Sequence, residues 1–457
     1  MSSSCVVVGA GICGLTAAIL LSRKYDRVTL IEQSDHCGGL LQSVRDEQGN
    51  EYDQGTHIPE KTGVKVIDDI LFGDQEYIDS HWQKISALRT GNYFNGQWDF
   101  NTQTIDARKL PLNLYHQGIG ELMTCDSDST SDNIKEYLEQ TLGPVFFNQL
   151  ALPVIKKLYG NDVEPINLTR QTGVNYFGAG RIIAFSSELT HVLKKHPSFD
   201  AKLGFHQQAE YEDQLLKMGV EPTEYLYPSE GRSVQSWVDD LLQRAIKAGV
   251  RIITSENINS IKHSNGKIAS VNLSASGEEL PCDLLFWSAP PVFALKAAGL
   301  EVQSDNVEFR TANILHFNLD KAALNTTCQY LWNWDEVSPI FRITLYQNLR
   351  TNGAYQVTAE YLSNRENAAC YTLEQGLADL KKMNLLSSDT QMLSGFQQVI
   401  HNTFPVPTFD FKRSTERNFN TLNNAFHNII ISGRFSGSCW LQSDVLKKMY
   451  RDIEAID

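Results

Sequence analysis

A glycine-rich turn near the amino terminus constrains the fold of this chain more than any other feature. The run Cys5–Val8 is short and rich in β-branched residues, which is typical of a strand buried on both faces of a parallel sheet. Gly9, Gly11 and Gly14 follow in the spacing G-x-G-x-x-G, and "LTAAILLSRK" continues as a helix. The first glycine permits a tight turn, the second lets backbone approach a pyrophosphate, and the third lets the helix pack on the strand. The sequence therefore predicts a dinucleotide-binding β-α-β unit.

The second strand of this unit, "RVTLIE", ends on an acidic residue. Glu32 falls where a carboxylate accepts the hydroxyls of a ribose, and the helix amino terminus points its amides at the phosphates. A carboxylate at this position repels the ribose phosphate of NADP. NAD and FAD are the two dinucleotides that remain.

A glycine doublet decides between these two cofactors. Gly38 and Gly39 in "EQSDHCGGLLQS" lie soon after Glu32. The run resembles the glutathione-reductase-type FAD fold in its amine oxidase and protoporphyrinogen oxidase branch, where a G-G-[RL]-x-x-[ST] turn runs under the flavin. Leu40 and Ser43 occupy the matching places. The resemblance implies an FAD cofactor.

Later segments resemble the same family. "YDQGTHIP" is similar to its D-x-G-x-H segment beside the isoalloxazine ring, which makes His57 the candidate catalytic residue, with a hydrogen-bonded structural histidine as the alternative. Asn265-Gly266 predicts a hairpin turn. Ile258 matches the residue whose backbone contacts the adenosine side. "CDLLFWSAPP" is similar to a segment beside the flavin.

The carboxyl-terminal segment "NIIISGRFSGSCWLQSDVLKKMYRDI" indicates a strand, a glycine turn and a final helix. It resembles the closing FAD motif of the family, in which a helix amino terminus faces the flavin. The resemblance as a whole implies the following cofactor-binding residues: Gly9, Gly11, Ile12, Cys13, Gly14, Glu32, Gln33, Gly38, Gly39, Leu40, Ile258, Gly433, Arg434, Leu441 and Gln442.

The chain of 457 residues is long enough for two domains. We expect an α/β protein with a discontinuous Rossmann-like FAD-binding domain, built from residues 1–60, 222–300 and 425–457. Residues 61–221 and 301–424 are expected to form an inserted α+β substrate-binding domain. The first of these two pieces is mostly helical, and the second shows strand-like alternation.

Composition excludes several classes of protein. A net charge of -14 argues against a nucleic-acid surface. The opening stretch has no basic residue ahead of it and carries many glycines, which disfavours a signal peptide and a membrane span. The eight cysteines form no C-x-x-C pair, and no H-E-x-x-H motif occurs, so we expect no metal. Reduced thiols and the missing leader indicate a cytoplasmic protein.

The substrate is harder to infer. Arg170, Arg181, Arg232 and Arg342 are candidates for a bidentate clamp on a phosphate or carboxylate, with a surface ion pair as the alternative for each. The segment from Leu152 resembles a K-x-x-G segment of protoporphyrinogen-oxidase-like proteins and UDP-galactopyranose mutases. The flavin-side lysine of the amine oxidases has no counterpart in "FRTANILHFNLD".

Three functions remain open. No second complete G-x-G-x-x-G follows, which favours an oxidoreductase that accepts a hydride from a small molecule onto flavin N5. A sugar or nucleotide sugar is among the candidate substrates. One alternative is a non-redox enzyme resembling UDP-galactopyranose mutase, in which reduced flavin is the nucleophile. The other is a flavin-binding protein with little activity.

Overall fold

A computed structural model describes residues 2–125, 129–170, 180–302, 306–351, 355–437 and 439–456. The strands in these ranges are β1 (Ser4–Val8), β2 (Arg27–Ile31), β3 (Ser43–Arg45), β4 (Glu51–Asp53), β5 (Trp82–Ile85), β6 (Thr90–Phe94), β7 (Gln97–Asp99), β8 (Tyr225–Pro228), β9 (Arg251–Ile253), β10 (Ile258–Ser264), β11 (Lys267–Leu273), β12 (Glu279–Pro281), β13 (Leu284–Trp287), β14 (Phe309–Leu319), β15 (Tyr330–Asn333), β16 (Arg342–Leu345), β17 (Tyr355–Ser363), β18 (Met392–Pro405) and β19 (Ile429–Ile431).

The α-helices in the same ranges are α1 (Ile12–Leu21), α2 (Lys65–Phe72), α3 (Gln75–His81), α4 (Leu112–Thr124), α5 (Ile134–Leu142), α6 (Pro144–Phe146), α7 (Leu152–Tyr159), α8 (Ser187–Leu193), α9 (Pro197–Asp200), α10 (Gln208–Lys217), α11 (Val234–Lys247), α12 (Pro291–Ala297), α13 (Leu373–Lys382), α14 (Phe409–Ala425) and α15 (Gln442–Glu454). None of the helices in the described part of the chain is both long enough and apolar enough to cross a lipid bilayer.

The first sheet is parallel and has the strand order β19-β13-β1-β2-β9. Strands β1 and β13 at its centre are buried on both sides, as the sequence predicted for β1, because both faces of the sheet are covered. Helix α1, buried along nearly its whole length, packs on one face with α11 and α15. The antiparallel strands β10 to β12 and helices α12 and α14 share a core with the other face. The expected α/β class with a Rossmann-like domain is confirmed.

The second sheet has the order β18-β14-β17-β16-β15-β6-β7. All of its neighbouring pairs are antiparallel except β15 and β6. One face carries apolar residues such as Leu315, Phe317 and Ala359, which share a core with α13. The side chains that alternate with these include His316, Thr358 and Glu360, which are buried although they are polar. We call this second side the polar face.

The first domain boundary differs from the one expected at residue 60. Helices α2 and α3 pack in the same core as α1 and α11, and not with the inserted region. The ring of Phe72 stacks on that of Trp237 at 5.4 Å, and the indole N–H of Trp237 donates to the carbonyl of Leu71 at 2.8 Å. Strand β5 then pairs with β8, which lies just before α11. Residues 64–82 therefore pack against the apolar face of α11 and belong to the core of the first sheet.

Candidate functional site

The glycine turn lies at the carboxyl end of β1. Gly9 has a φ of +95°, and a Cβ on Gly14 would lie 1.8 Å from the carbonyl oxygen of Gly9. Helix α1 begins directly after Gly11, and no described side chain caps its amino terminus. The first amides of a helix have no intrahelical partner, so this end of α1 can bind an anion. Ile12 is half-buried in this first turn.

Glu32 follows β2 and is fixed beside the same turn. Its carboxylate accepts the backbone N–H of Ala10 at 2.7 Å and that of Ser34 at 2.9 Å. The side chain is buried, whereas the neighbouring Gln33 is exposed. A carboxylate has about four acceptor positions, so two backbone bonds leave room for ribose hydroxyls. Ile258 lies half-buried at the start of β10.

The glycine doublet contacts the glycine turn through backbone atoms. The N–H of Gly38 donates to the carbonyl of Ala10 at 2.9 Å. A Cβ on Gly39 would lie 3.3 Å from the Cα of Gly11, and both doublet residues have positive φ values. A side chain on Gly39 would crowd the glycine turn, whereas one on Gly38 would crowd Leu41 and Val238. Leu40, the next residue, is half-buried.

The carboxyl-terminal segment reaches the same place after β19. A Cβ on Gly433 would lie 2.6 Å from the carbonyl oxygen of Ser288, and a Cβ on Gly9 would lie 2.5 Å from the Ser288 hydroxyl. The thiol of Cys13 donates to the hydroxyl of Ser432 at 3.7 Å. Burial raises the pKa of Cys13 to about 12, so this residue remains a thiol. The segments that begin at residues 9, 288 and 432 thus converge.

Helix α15 starts close to this convergence. The buried side-chain amide nitrogen of Gln442 has no hydrogen-bond partner in the described ranges. Leu441 is exposed and borders a cavity of about 630 Å³ that Trp440 also lines. Arg434 donates from Nε to the carbonyl of Trp440 at 3.2 Å and stacks its guanidinium over the indole ring. The interaction orients Arg434 along the closing segment.

The polar face of the second sheet lies against two of these cofactor-domain segments. His316 and Phe396 on this face contact the ring of Tyr52, which precedes the D-x-G-x-H segment. Ala312 shares an apolar cluster with Trp440 of the closing segment. Between these contacts, Glu360 pairs across the strands with Arg342 on one side and Ile314 on the other. The sheet therefore covers the space between the two segments.

The turn Gly55–His57 is bound to Glu360. Thr56 donates from its backbone N–H and from its hydroxyl to the carboxylate, both at 3.0 Å. Arg342 donates to the same carboxylate from Nε at 2.8 Å and from Nη2 at 2.7 Å. Burial alone would raise the pKa of Glu360, but the guanidinium and the donated hydrogen bonds lower it below its ordinary value. Glu360 is therefore a buried carboxylate that stays ionised.

His57 is held in one tautomer. Its Nε2 lies 3.0 Å from the carbonyl oxygen of Gln54, which can only accept, so Nε2 carries the proton and Nδ1 is the basic nitrogen. Burial lowers the pKa of His57, and the charge of Arg342 acts in the same direction. Asp53 and Glu360 oppose this shift. The ring is therefore neutral at neutral pH.

The structure places the other candidate clamp residues at separate positions. Arg170 stacks over the ring of Tyr137 at 4.1 Å. Its side chain also donates to the carbonyl of Ser131 at 2.7 Å. Arg181 donates to the carbonyl of Asp200 at 3.0 Å, and Arg232 donates to those of His81 at 2.9 Å and Ser229 at 3.2 Å. Arg342 is the member of the set that lies beside the Gly55–His57 turn. Residues 171–178 of the K-x-x-G segment lie outside the described residues.

Two residues of the site were missed by the sequence reasoning. Ser288 follows the buried strand β13, and its hydroxyl donates to the carbonyl of Val8 at 2.7 Å. A small residue directly after a buried strand was the available signal. Glu360 stands in the alternating run "VTAEYL", where an acidic residue among apolar ones could have marked it. The pairing of Glu360 with Arg342 depends on the register of β16 and β17, which the sequence alone does not show.

Comparisons with known proteins agree with this geometry. Residues 7–66 match the model of the NAD(P)-binding Rossmann-like domain. The crystal structure of reduced UDP-galactopyranose mutase superposes with a TM-score of 0.76 at 16% identity, covering 100% of this chain and 94% of that chain. A crystal structure described as a putative protoporphyrinogen oxidase from Exiguobacterium sp. 255-15 superposes with a TM-score of 0.68 at 14% identity. The superposition covers 100% of this chain and 99% of that chain. The expected resemblance to these two groups is confirmed as a shared fold.

Curated relatives match over shorter lengths. An L-amino-acid oxidase from Bungarus fasciatus is 51% identical over 47 residues, which is 10% of this chain and 9% of that protein. An all-trans-retinol 13,14-reductase from Danio rerio is 46% identical over 52 residues, or 11% and 8%. A 1-hydroxycarotenoid 3,4-desaturase from Flavobacterium sp. (strain P99-3) is 24% identical over 286 residues, or 58% and 52%. The matched region spans about half of the desaturase and under a tenth of the other two.

Proposed function

We propose that this protein is an FAD-dependent oxidoreductase that takes a hydride from a small molecule held under the polar face. One observation carries the proposal. Chain segments that are far apart in sequence meet at the carboxyl ends of parallel strands, where the second sheet covers them. Ligands of open α/β sheets bind at this edge. The named relatives include an oxidase, a reductase and a desaturase, which supports the redox class.

The residues present fit an FAD molecule. Gly14 and Gly39 stand where a Cβ would collide with or crowd backbone, and the uncapped start of α1 suits a pyrophosphate. The carboxylate of Glu32 keeps acceptor positions that a ribose could use, and the unpartnered amide nitrogen of Gln442 offers a donor at the start of α15. When bound, FAD would supply the hydride-accepting chemistry. The protein supplies orientation and a dry, covered site.

His57 is the residue that we propose for proton movement. A neutral ring with a basic Nδ1 can accept a proton from a substrate that is being oxidised. The bond from Nε2 to the carbonyl of Gln54 keeps the ring in this tautomer. Candidate substrates include sugars and nucleotide sugars, since the mutase structure shares the fold over the whole chain.

The first test is an absorbance spectrum of the purified protein. We expect flavin bands, or their appearance after FAD is added to the apoprotein. Anaerobic titration with amines, porphyrinogens and nucleotide sugars should then bleach the bands with one class of compound. If no flavin binds, the proposal is wrong. If a nucleotide sugar perturbs only the dithionite-reduced spectrum, without net redox change, the mutase-like alternative replaces it.

A further inference from the structure

We propose that Arg342 and Glu360 are a positioning pair that sets the Gly55–His57 turn against the cofactor site, rather than a substrate clamp and its counter-ion. This inference rests on the proposed function, because it assigns to the turn a place in the reaction. It is carried by three features of the described residues. These are the bidentate ion pair between Arg342 and Glu360, the hydrogen bonds that the turn donates to Glu360, and the close approach of the turn's backbone to that carboxylate.

The bonds to Glu360 occupy the Nε–Nη2 edge of the Arg342 guanidinium, which is one of the two edges that could bind an anion bidentately. Arg342 binds Glu360 through both Nε and Nη2, and the two residues face each other directly on the neighbouring strands β16 and β17. The side chains are only 11% and 4% exposed. A bidentate arginine–carboxylate pair is strong and planar, and breaking a buried one leaves an uncompensated charge. A substrate anion could not bind at this edge without displacing a carboxylate that the sheet itself holds in place.

The other side of the carboxylate holds the turn. Thr56 donates twice to Glu360, and its hydroxyl also lies 2.5 Å from that of Thr344 on the polar face. Gly55 has a φ of +103°, and a Cβ there would lie 2.9 Å from the carboxylate. The backbone of the turn therefore lies directly on Glu360. His57 is the next residue, so these bonds also set where its ring lies.

The pair can be tested in the protein without cofactor. We would compare Glu360→Gln with Thr56→Val, which removes the two bonds of the Thr56 hydroxyl and leaves its backbone N–H bond and the ion pair intact. Hydrogen exchange of residues 55–57 should become at least about tenfold faster in Glu360→Gln, because the amide is uncharged and its NH2 group cannot accept the second bond from Arg342. In Thr56→Val we expect the exchange of the same residues to become about threefold faster. The NMR titration midpoint of His57 should fall in Glu360→Gln, because a facing negative charge is lost.

The matched control is Asp106→Asn, which breaks a different carboxylate–arginine pair, that with Arg108. It should leave the exchange of the turn and the titration of His57 unchanged. The dissociation constant for added FAD should rise about tenfold in Glu360→Gln and stay constant in the control. If Glu360→Gln does not fold, the exchange rates of residues 55–57 in Thr56→Val test whether the bonds to Glu360 hold the turn.

The result that would overturn the inference is unchanged exchange in the turn in both variants, or a lower melting temperature with no change at His57. These readouts need no flavin. If the unmodified protein binds no FAD, the proposed function fails while the positioning of the turn is still decided by exchange.

Discussion

At Gly14 the backbone of α1 lies against the peptide of Gly9, and an added Cβ would sit 1.8 Å from that carbonyl oxygen. We expect Gly14→Ala to abolish FAD binding, because the turn that we propose for the pyrophosphate must open to admit the methyl group. Fluorescence titration with FAD measures this. Gly120→Ala is the matched control, since Gly120 lies within α4 and a Cβ there would project into open space. That change should stabilise the protein by up to about 1 kcal/mol and leave FAD binding intact.

His316 is a second residue whose surroundings predict a measurable property. Burial lowers its pKa to about 4, against an ordinary value of 6.5, and its Nδ1 lies 2.9 Å from the Thr358 hydroxyl. Between these two pH values His316 is protonated in the unfolded chain but stays neutral in the folded protein. The free energy of unfolding should therefore fall by up to about 3 kcal/mol as pH drops from 6.5 to 4.

His316→Gln should remove this part of the acid sensitivity. Urea unfolding at several pH values measures the slope. Phe396→Leu, a change in a ring that packs on His316, should lower stability equally at every pH and keep the slope. An unchanged slope in His316→Gln would contradict the assignment.

At the scale of elements, Lys157 joins α7 to the hairpin between β15 and β16. Its ammonium donates to the carbonyls of Asn333, Asp335 and Ile340. We expect Lys157→Met to lower the free energy of unfolding by about 2–4 kcal/mol, since buried carbonyls lose their donor. Chemical denaturation measures the loss. Lys156→Met removes the same charge from an exposed neighbour and should change stability by less than about 0.5 kcal/mol.

Elements held by local signals could be predicted from the sequence, and those held by distant pairing could not. The β-α-β unit appears as expected, as does the hairpin at Asn265 and Gly266, because glycine geometry and apolar periodicity are local properties. The pairing of β5 with β8 joins residues far apart in sequence, so it was missed. For the same reason the motif indicates the glycines of the proposed cofactor site, whereas the proposed role of Glu360 depends on strand register and could not be predicted.

At the scale of the whole molecule, a buried polar network joins the second sheet to the β3–β4 hairpin and to α11. Arg350 donates to the carbonyl of Glu51 at 2.7 Å and to the side chain of Gln356 at 2.9 Å. The carboxylate of Asp53 lies 3.7 Å from its guanidinium, and it also accepts the backbone N–H of Val234 at 3.0 Å. Arg350 thus connects β17 of the second sheet with β4 and with the start of α11. Through these bonds, opening one domain would expose charge in the other.

This coupling predicts cooperative unfolding of both domains. Calorimetry of the unmodified protein should give a single transition, whereas Arg350→Met should split or broaden it and cost about 3–5 kcal/mol, because Asp53 is left buried without its cation. Arg45→Met breaks the exposed pair with Glu51 and should cost less than about 1 kcal/mol with no change in cooperativity. Two separate transitions in the unmodified protein would mean that the network does not couple the domains. A site formed between them would then owe its geometry to the bound cofactor.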